Sequence, residues 1–371
     1  MAKKTVICSY YFPNWHVDPR NEKLHGKGWT EWRTTQYATP RFPGHNQPLV
    51  PLWGYEDEAD PVVMRKKIDA AQQHGIAAFV FDYYWFQDGS YRERCIAEGF
   101  LPACKGTDFK FSVMWANHDP IYSHPGSYLK PAEPLWTGEV DPATFTACTE
   151  HLIEKFFCHP NYLKIDGKIY FSIFNLKYML KTNGVETLRA MFDDLRRRVR
   201  RAGLGELWLD VIHAHMRDDT LPERPELIAK LGIDSCSSYA LEYLPDTFPS
   251  AEYADADAPN MEKVKAITAA LPVPYNPAAT AGWDSSPRTV QSDMYEQRGY
   301  PFTVVLVNNT PEAWEKHLQG FRDFLDSGKS TAKILHLACW NEWTEGMFLE
   351  PDAQYGFARL EAVKKIFGKD K

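Results

Sequence analysis

The sequence predicts an α/β protein, a single (β/α)8 TIM barrel with long βα loops that spans residues 1–371. Short apolar runs rich in β-branched and aromatic residues alternate with helical patterns along the whole chain. This alternation is typical of parallel sheets built from βα units. No linker-like boundary interrupts it, and one barrel can accommodate a chain of this length.

The expected strands are short apolar segments bounded by turn residues. They lie at residues 5–11, 77–84, 109–115, 169–174, 207–213, 234–239 and 334–340, with the seventh between 273 and 307. Two segments compete for that seventh position, 273–280 and 302–307. Pro274 and Pro277 weaken the first candidate, because proline cannot donate a hydrogen bond to a neighbouring strand. The sequence leaves the choice open.

Helical patterns follow the strands. Asp60-Pro61 and Asp141-Pro142 each combine a capping side chain with a proline suited to the first helical turn. The expected helices lie at residues 61–74, 92–103, 142–157, 185–202, 225–231, 260–270, 311–325 and 355–367. Together with the strands they complete eight βα units.

Charge and composition exclude several classes of function. The net charge is −7, so neither nucleic acid nor an anionic membrane surface is expected as a partner. No apolar run approaches the ~18 residues of a membrane span, and the N-terminal segment lacks secretory features. A cytoplasmic location is therefore expected, with a trimmed secreted or periplasmic form as the alternative. The seven cysteines show no CxxC spacing, which gives no sign of a zinc or redox site.

Aromatic and polar residues gather just after the predicted strands, where a (β/α)8 barrel carries its active site. The aromatic fraction of 14% fits sugar-stacking platforms and an aromatic-rich core about equally well. The residues that follow strands are Tyr11, Asp82, Tyr84, Trp85, Trp115, Asn117, Asn175, His213, His215, Tyr239, Glu242, Trp283, Asp284, Glu342 and Glu345. Their convergence on one end of the barrel predicts an active site there.

Glu342 and Glu345 are the expected catalytic residues. They lie three positions apart, just beyond the last predicted strand, within the segment WNEWTEG at 340–346. In a tight turn such residues project to one side. Two carboxylates that share a cavity shift each other's pKa values, which separates an acid from a base, and glycoside cleavage needs such a pair. The alternative is that both only cap the final helix or form ion pairs.

Other chemistries have weaker support. His213 and His215 show a metal-ligand spacing and, with Asp82 or His118, could form a zinc site, but no HxxE or CxxC element reinforces it. The chain contains no GxGxxG or Walker loop and no GxSxG elbow, which disfavours nucleotide-dependent enzymes and serine hydrolases. We therefore predict neither a metal nor a cofactor.

Several motifs resemble the WbsX-type family. They are YYFP at 10–13, GWTEW at 28–32, PRFPGHNQP at 40–48, FDYYWF at 81–86, WAN at 115–117, WNEWTEG at 340–346 and LEP at 349–351. These blocks extend from residue 10 to about residue 351. The family is often labelled a glycosyltransferase because of its occurrence in O-antigen gene clusters, and its fold is similar to glycoside hydrolase family 99, the endo-α-mannosidases.

The resemblance implies specific roles for the two glutamates. Glu342 takes the place of the base that deprotonates the sugar 2-hydroxyl, and Glu345 that of the general acid/base at the leaving oxygen. Family 99 retains configuration and is thought to proceed through a 1,2-anhydro sugar. The implied substrate is an α-linked glycan with an accessible 2-hydroxyl, as in mannose or rhamnose. The GWTEW loop and Asp82 depart from the mannosidase pattern, which leaves the sugar undetermined.

The leading interpretation is therefore a retaining glycoside hydrolase with an oligosaccharide or polysaccharide substrate. A glycosyltransferase of cell-surface polysaccharide synthesis is the alternative, although no DxD motif or basic phosphate cradle is evident. A non-catalytic carbohydrate-binding barrel is the third reading. The expected substrate-binding residues are Tyr11, Glu31, Trp32, Asp82, Tyr84, Trp85, Trp115, Asn117, His215, Tyr239, Trp283, Trp340, Asn341 and Trp343.

Overall fold

A computed structural model describes residues 5–216 and 224–368. Within these residues eight parallel strands form a barrel, and the seventh of them is in two pieces. They are β1 (Val6–Tyr11), β2 (Ala78–Phe86), β3 (Lys110–Trp115), β4 (Lys168–Ile173), β5 (Leu207–Ile212), β6 (Ser235–Ser237), β7 (Tyr275–Asn276 and Ala278–Thr280) and β8 (Ile334–Ala338). The predicted α/β TIM barrel is confirmed.

Strand β7 closes the barrel around an interruption. Its first piece pairs with β6 and its second piece with β8, and Pro277 lies between the two. The side-chain oxygen of Asn276 accepts hydrogen bonds from the backbone N–H groups of Lys333 and Ile334, both at 3.0 Å. A side chain therefore supplies the backbone hydrogen bonding where the ladder between β7 and β8 is incomplete.

Helices surround the strands in the predicted order. They are α1 (Pro61–Gln73), α2 (95–103, π-helical at Cys95–Phe100), α3 (Pro142–Leu152, continued by a π-helical turn Ile153–Phe157), α4 (Leu176–Arg201), α5 (Arg224–Leu231), α6 (Asp257–Ala270), α7 (Pro311–Asp326) and α8 (Ala358–Phe367). Asp60 and Asp141 cap α1 and α3 by accepting from backbone N–H groups. Among the described residues, no helix is long and apolar enough to cross a bilayer.

The structure shows which segment forms the seventh strand, and it corrects the predicted start of one helix. Segment 273–280 contains β7, whereas Val305–Val307 pairs with Ser250–Glu252 in a separate two-stranded sheet. Helix α4 begins at 176 rather than at the expected 185, because the side chain of Asn175 caps it by accepting from the N–H of Tyr178 at 3.0 Å. Gly184, with φ 73°, kinks the helix and obscured its first turns in the sequence.

A buried ion pair connects α1 to the segment that follows β8. Lys67 Nζ lies 2.7 Å from Glu350 Oε1, and their side chains are 2% and 4% exposed. Glu350 also accepts hydrogen bonds from the indole N–H groups of Trp340, at 3.0 Å, and Trp343, at 2.8 Å. The pair therefore holds both tryptophans that flank Glu342.

Replacing Lys67 with Met should destabilise the protein by about 3–5 kcal/mol, because it leaves the Glu350 carboxylate buried without its cation. Urea denaturation would measure the change in free energy of unfolding. The matched control is Lys365→Met, which breaks an ion pair whose side chains are 66% and 36% exposed and should cost no more than about 1 kcal/mol. Equal losses for the two variants would contradict this account.

Candidate active site

A cavity of about 580 Å³ opens at the C-terminal ends of the strands. Residues from the ends of β2, β3 and β5 and from the loops after β6, β7 and β8 line it. Seven of the residues expected at the site are in its wall, namely Asp82, Tyr84, Tyr239, Glu242, Trp283, Glu342 and Glu345. Segments more than 250 residues apart in sequence therefore meet at one site.

The segment after β8 is a tight hairpin. Asn341–Glu342 pairs antiparallel with Met347–Phe348, and Trp343–Glu345 forms a single 3-10 turn between them. Gly346 ends this turn with φ 66°, and a Cβ at this position would lie 2.8 Å from the backbone N of Asp284. Only glycine fits, because both its backbone conformation and the space around it exclude a side chain. The turn directs the carboxylates of Glu342 and Glu345 into the same cavity.

One arginine joins the two glutamates. Arg288, in the loop after β7, is 5% exposed. Its Nη2 lies 3.1 Å from Glu342 Oε1, and its Nη1 donates a hydrogen bond to Glu345 Oε1. The same guanidinium lies 3.2 Å from Glu31 Oε1. The hydroxyl of Tyr300 donates to Glu345 Oε1 at 2.8 Å. The carboxylates of Glu342 and Glu345 are therefore neighbours across a single guanidinium.

Tyr239 bridges Glu342 and Asp82. Its hydroxyl oxygen lies 2.7 Å from Glu342 Oε2 and 2.8 Å from Asp82 Oδ2. Burial raises the pKa of Tyr239 well above its usual value, so the phenol keeps its single proton. One O–H donor cannot serve two carboxylates at once. One of the two acids must therefore carry a proton and donate it to the phenol oxygen.

That proton belongs to Asp82. Its Oδ1 is buried with no hydrogen-bond partner among the described residues, whereas Glu342 also accepts from Arg288. Burial and the nearby charge of Glu342 raise the pKa of Asp82 well above its usual value. Asp82 therefore donates to Tyr239, and Tyr239 donates to Glu342.

Glu345 occupies a different electrostatic environment from an exposed glutamate. Burial raises its pKa to about 8, with Arg288 acting in the opposite direction and Glu342 adding to the rise. A carboxyl group with such a pKa holds its proton at neutral pH and can donate it. This is the property that a general acid requires.

Several residues expected at the cavity pack elsewhere. The side chains of Tyr11, Trp115 and Trp340 belong to the large core that includes α1, while Trp32 and Trp343 belong to an aromatic cluster with Trp15. Their rings are buried between elements, and none of them is among the residues that line the cavity. Trp85 likewise lies outside that wall, with its ring near His151.

Three polar residues that were expected at the cavity form hydrogen bonds outside it. Asn117 donates to the carbonyl of Asn175 at 2.9 Å, and Asn341 accepts from the N–H of Phe12 at 2.8 Å. Glu31 is fully buried behind the cavity wall, where it accepts from Thr344 Oγ1 at 2.5 Å as well as from Arg288. None of these three residues lines the cavity.

The histidine pair does not form the expected strand face. Strand β5 ends at Ile212, and His213–His215 is a 3-10 turn, so strand alternation does not apply. His213 Nε2 lies 3.0 Å from Glu242 Oε2. The side chain of His215 lies outside the described part of the structure. Within residues 5–216 and 224–368, no group of three or more His, Cys, Asp or Glu is placed to hold a metal ion.

Arg288 and Tyr300 are the site residues that sequence reasoning missed. Arg288 follows a Ser-Ser-Pro stretch in the loop after β7, and Tyr300 precedes a proline in the same long loop. Nothing in their sequence context distinguishes them from ordinary loop residues. The only available signal was that two adjacent buried carboxylates require a cation nearby.

The chain is a (β/α)8 barrel with a cavity at the C-terminal ends of its strands. The fold is similar to that of the glycoside hydrolase family 99 endo-α-mannosidase from Bacteroides thetaiotaomicron, with TM-score 0.59 and 13% identity over 97% of this chain and 95% of that one. A glycoside hydrolase-like protein matches with TM-score 0.57 and 14% identity over 99% and 95% of the two chains. At these identities the similarity establishes the fold.

The chain belongs to the family described as Glycosyltransferase WbsX, whose family model matches residues 7–363. The predicted membership is confirmed. The protein WxcX of Xanthomonas campestris, described as uncharacterized, is 25% identical over 97% of this chain. That match covers 49% of the relative, so this chain corresponds to about half of the longer protein.

Asp82→Asn should remove an infrared C=O stretching band of a neutral carboxylic acid that the wild-type protein shows at pH 7. The reason is that burial and Glu342 keep Asp82 protonated. The matched control is Asp141→Asn, because hydrogen bonding from Thr144 lowers the pKa of Asp141 and this residue contributes no such band. A wild-type band that persists in Asp82→Asn and Glu345→Gln alike would contradict the proton assignment.

Proposed function

We propose that this protein is a retaining glycoside hydrolase that acts on α-linked mannoside-like or rhamnoside-like glycans. The observation that carries the proposal is the placement of Glu342 and Glu345 on one guanidinium at the barrel's C-terminal end. Their surroundings differ, since Glu345 has a pKa raised to about 8 by burial while Glu342 accepts from Arg288 and Tyr239. Paired carboxylates with separate protonation behaviour are what glycoside cleavage uses.

In the first step, Glu345 donates its proton to the glycosidic oxygen as the bond from that oxygen to C1 breaks. Glu342 accepts the proton of the sugar 2-hydroxyl, and the freed oxygen attacks C1 from the opposite face. The products are the released alcohol and a 1,2-anhydro sugar. Glu342 is now protonated and Glu345 is ionised.

In the second step, Glu345 accepts a proton from water, and the resulting oxygen attacks C1 as the bond from C1 to the 2-oxygen breaks. Glu342 returns its proton to the 2-oxygen. Both glutamates regain their starting protonation states. Each attack inverts the configuration at C1, so the two attacks together retain it.

The second candidate is glycosyl transfer from an activated sugar donor, which the family description favours. A sugar nucleotide carries a diphosphate that needs cationic partners. Arg288 is already engaged by three carboxylates, which makes it a poor diphosphate ligand. Stabilisation of the protein by sugar nucleotides, but not by α-linked oligosaccharides, in a thermal-shift screen would favour this candidate over hydrolysis.

Replacing Glu345 with Gln should lower kcat/KM for hydrolysis of α-linked manno- or rhamno-oligosaccharides roughly 100- to 10,000-fold, because the amide cannot supply the leaving-group proton. Product release would be followed by chromatography, and circular dichroism would verify the fold. The control Glu315→Gln alters an exposed glutamate on α7 and should leave the rate unchanged. Hydrolysis by Glu345→Gln at the wild-type rate would exclude the assignment.

The rate should also depend on pH in a defined direction. A general acid acts only while protonated, and burial raises the pKa of Glu345 to about 8. We therefore expect kcat/KM to fall about tenfold per pH unit above that value, because kcat/KM follows the free enzyme. A profile that declines from pH 5 onward, while the protein stays folded, would show that Glu345 is not the acid.

A further inference from the structure

A second buried arginine lies in the cavity wall, apart from the glutamate pair. Arg92 follows the hairpin after β2, is 8% exposed and lines the cavity. Its backbone has φ 61°, a left-handed conformation that is uncommon for residues other than glycine. Asp18 Oδ2 accepts from its N–H at 3.1 Å and helps to hold this conformation. The surrounding structure thus holds Arg92 in a backbone conformation that is unfavourable by itself.

The guanidinium of Arg92 has aromatic neighbours but, among the described residues, no ion-pair partner. Its central carbon lies 4.5 Å from the ring centre of Tyr91, 4.7 Å from that of Tyr84 and 5.1 Å from that of Phe12. Across residues 5–216 and 224–368, no carboxylate forms an ion pair with it, and its Nε has no hydrogen-bond partner. Arg288 in the same cavity has three carboxylates. A buried charge without a counter-charge is costly unless a ligand supplies one.

Arg92 has no directly paired carboxylate among the described residues, although the more distant charge of Glu31 helps to raise its pKa. Burial, together with His124 and Arg92, lowers the pKa of His25 to about 4, so this imidazole is neutral at pH 7. The Asp119 carboxylate, also in the wall, accepts from the N–H of Gly138 at 2.7 Å and from Tyr178 at 3.0 Å. Asp82 is neutral, as argued above. Among the described residues, none of these groups forms an ion pair with Arg92, and Glu31 is already paired with Arg288.

We propose that Arg92 binds the carboxylate of an acidic sugar, a uronic acid residue of the glycan. A guanidinium offers two parallel N–H donors that match the two oxygens of a carboxylate. A single fixed charge suits a monoanion better than a phosphate dianion, and the rings of Phe12, Tyr84 and Tyr91 provide apolar surface beside it. The glycan nature of the ligand rests on the proposed function.

The test compares two ligands that differ only at C6. Methyl α-D-mannopyranosiduronate carries a carboxylate there, and methyl α-D-mannopyranoside carries a hydroxymethyl group. Isothermal titration calorimetry at low salt should show the uronate binding at least about tenfold more tightly to the wild-type protein, the range for a charge-assisted hydrogen bond. Equal affinities, or no binding of either ligand, would overturn the proposal. Stronger competition by inorganic phosphate than by the uronate would also overturn it.

Substitutions of Arg92 test whether this residue causes the preference for the uronate. Arg92→Gln should reduce the affinity ratio of the two ligands to about one, and Arg92→Lys, which keeps the charge but not the two-pronged donor, should reduce it several-fold. The matched control is Arg20→Gln. Arg20 also lies over the Tyr91 ring, at 5.7 Å, but it pairs with Asp88 at 2.9 Å, so the preference should persist. If Arg92→Gln does not fold, Arg92→Lys decides, and an unchanged ratio in that variant contradicts the assignment.

The two proposals can fail separately. Binding of the C6 pair requires no turnover, so it can be measured on Glu345→Gln as well as on the wild-type protein. A preference for the uronate without any hydrolysis would support the acidic-sugar site and contradict the hydrolase mechanism. Hydrolysis of neutral glycans without a uronate preference would do the reverse.

Discussion

The buried guanidinium of Arg288 is the interaction on which the site depends. It meets Glu31 from the loop after β1 and both glutamates of the turn after β8, and its own residue belongs to the loop after β7. Three acidic side chains share this volume around it, and a buried carboxylate among them needs a partner. The arginine therefore connects three loops and sets the spacing of the two carboxylates that face the cavity.

Once the carboxylates are close, their surroundings determine which of them hold protons. Burial dominates at Glu345 and at Asp82, and it raises the pKa of each. Glu342 has donors on both sides, Arg288 and Tyr239. Asp82 and Glu345 thus have raised pKa values because they are buried, whereas Glu342 accepts hydrogen bonds from two donors. That difference is what makes acid and base roles possible within one cavity.

The aromatic residues divide between support and binding surface. Most of the tryptophans near the site are buried in the core, where Trp340 and Trp343 also donate to Glu350. Trp283, in contrast, reaches the cavity, and Tyr84 and Tyr91 flank the guanidinium of Arg92. The aromatic-rich composition therefore reflects mainly the packing of the core. A smaller share of these rings forms the cavity surface.

Local sequence patterns determined the order of strands and helices, the aspartate caps of α1 and α3, and the position of Glu342 and Glu345 beyond the last strand. These features depend on neighbours within a few residues, so periodicity and capping rules reveal them. The choice of segment 273–280 for β7, the core location of Trp32 and Trp115, and the roles of Arg288 and Arg92 were decided only by the tertiary structure. Each depends on contacts between distant segments. The acidic partners of Arg288 are 50 or more residues away in the chain, so the residues next to an arginine do not reveal whether it has a partner.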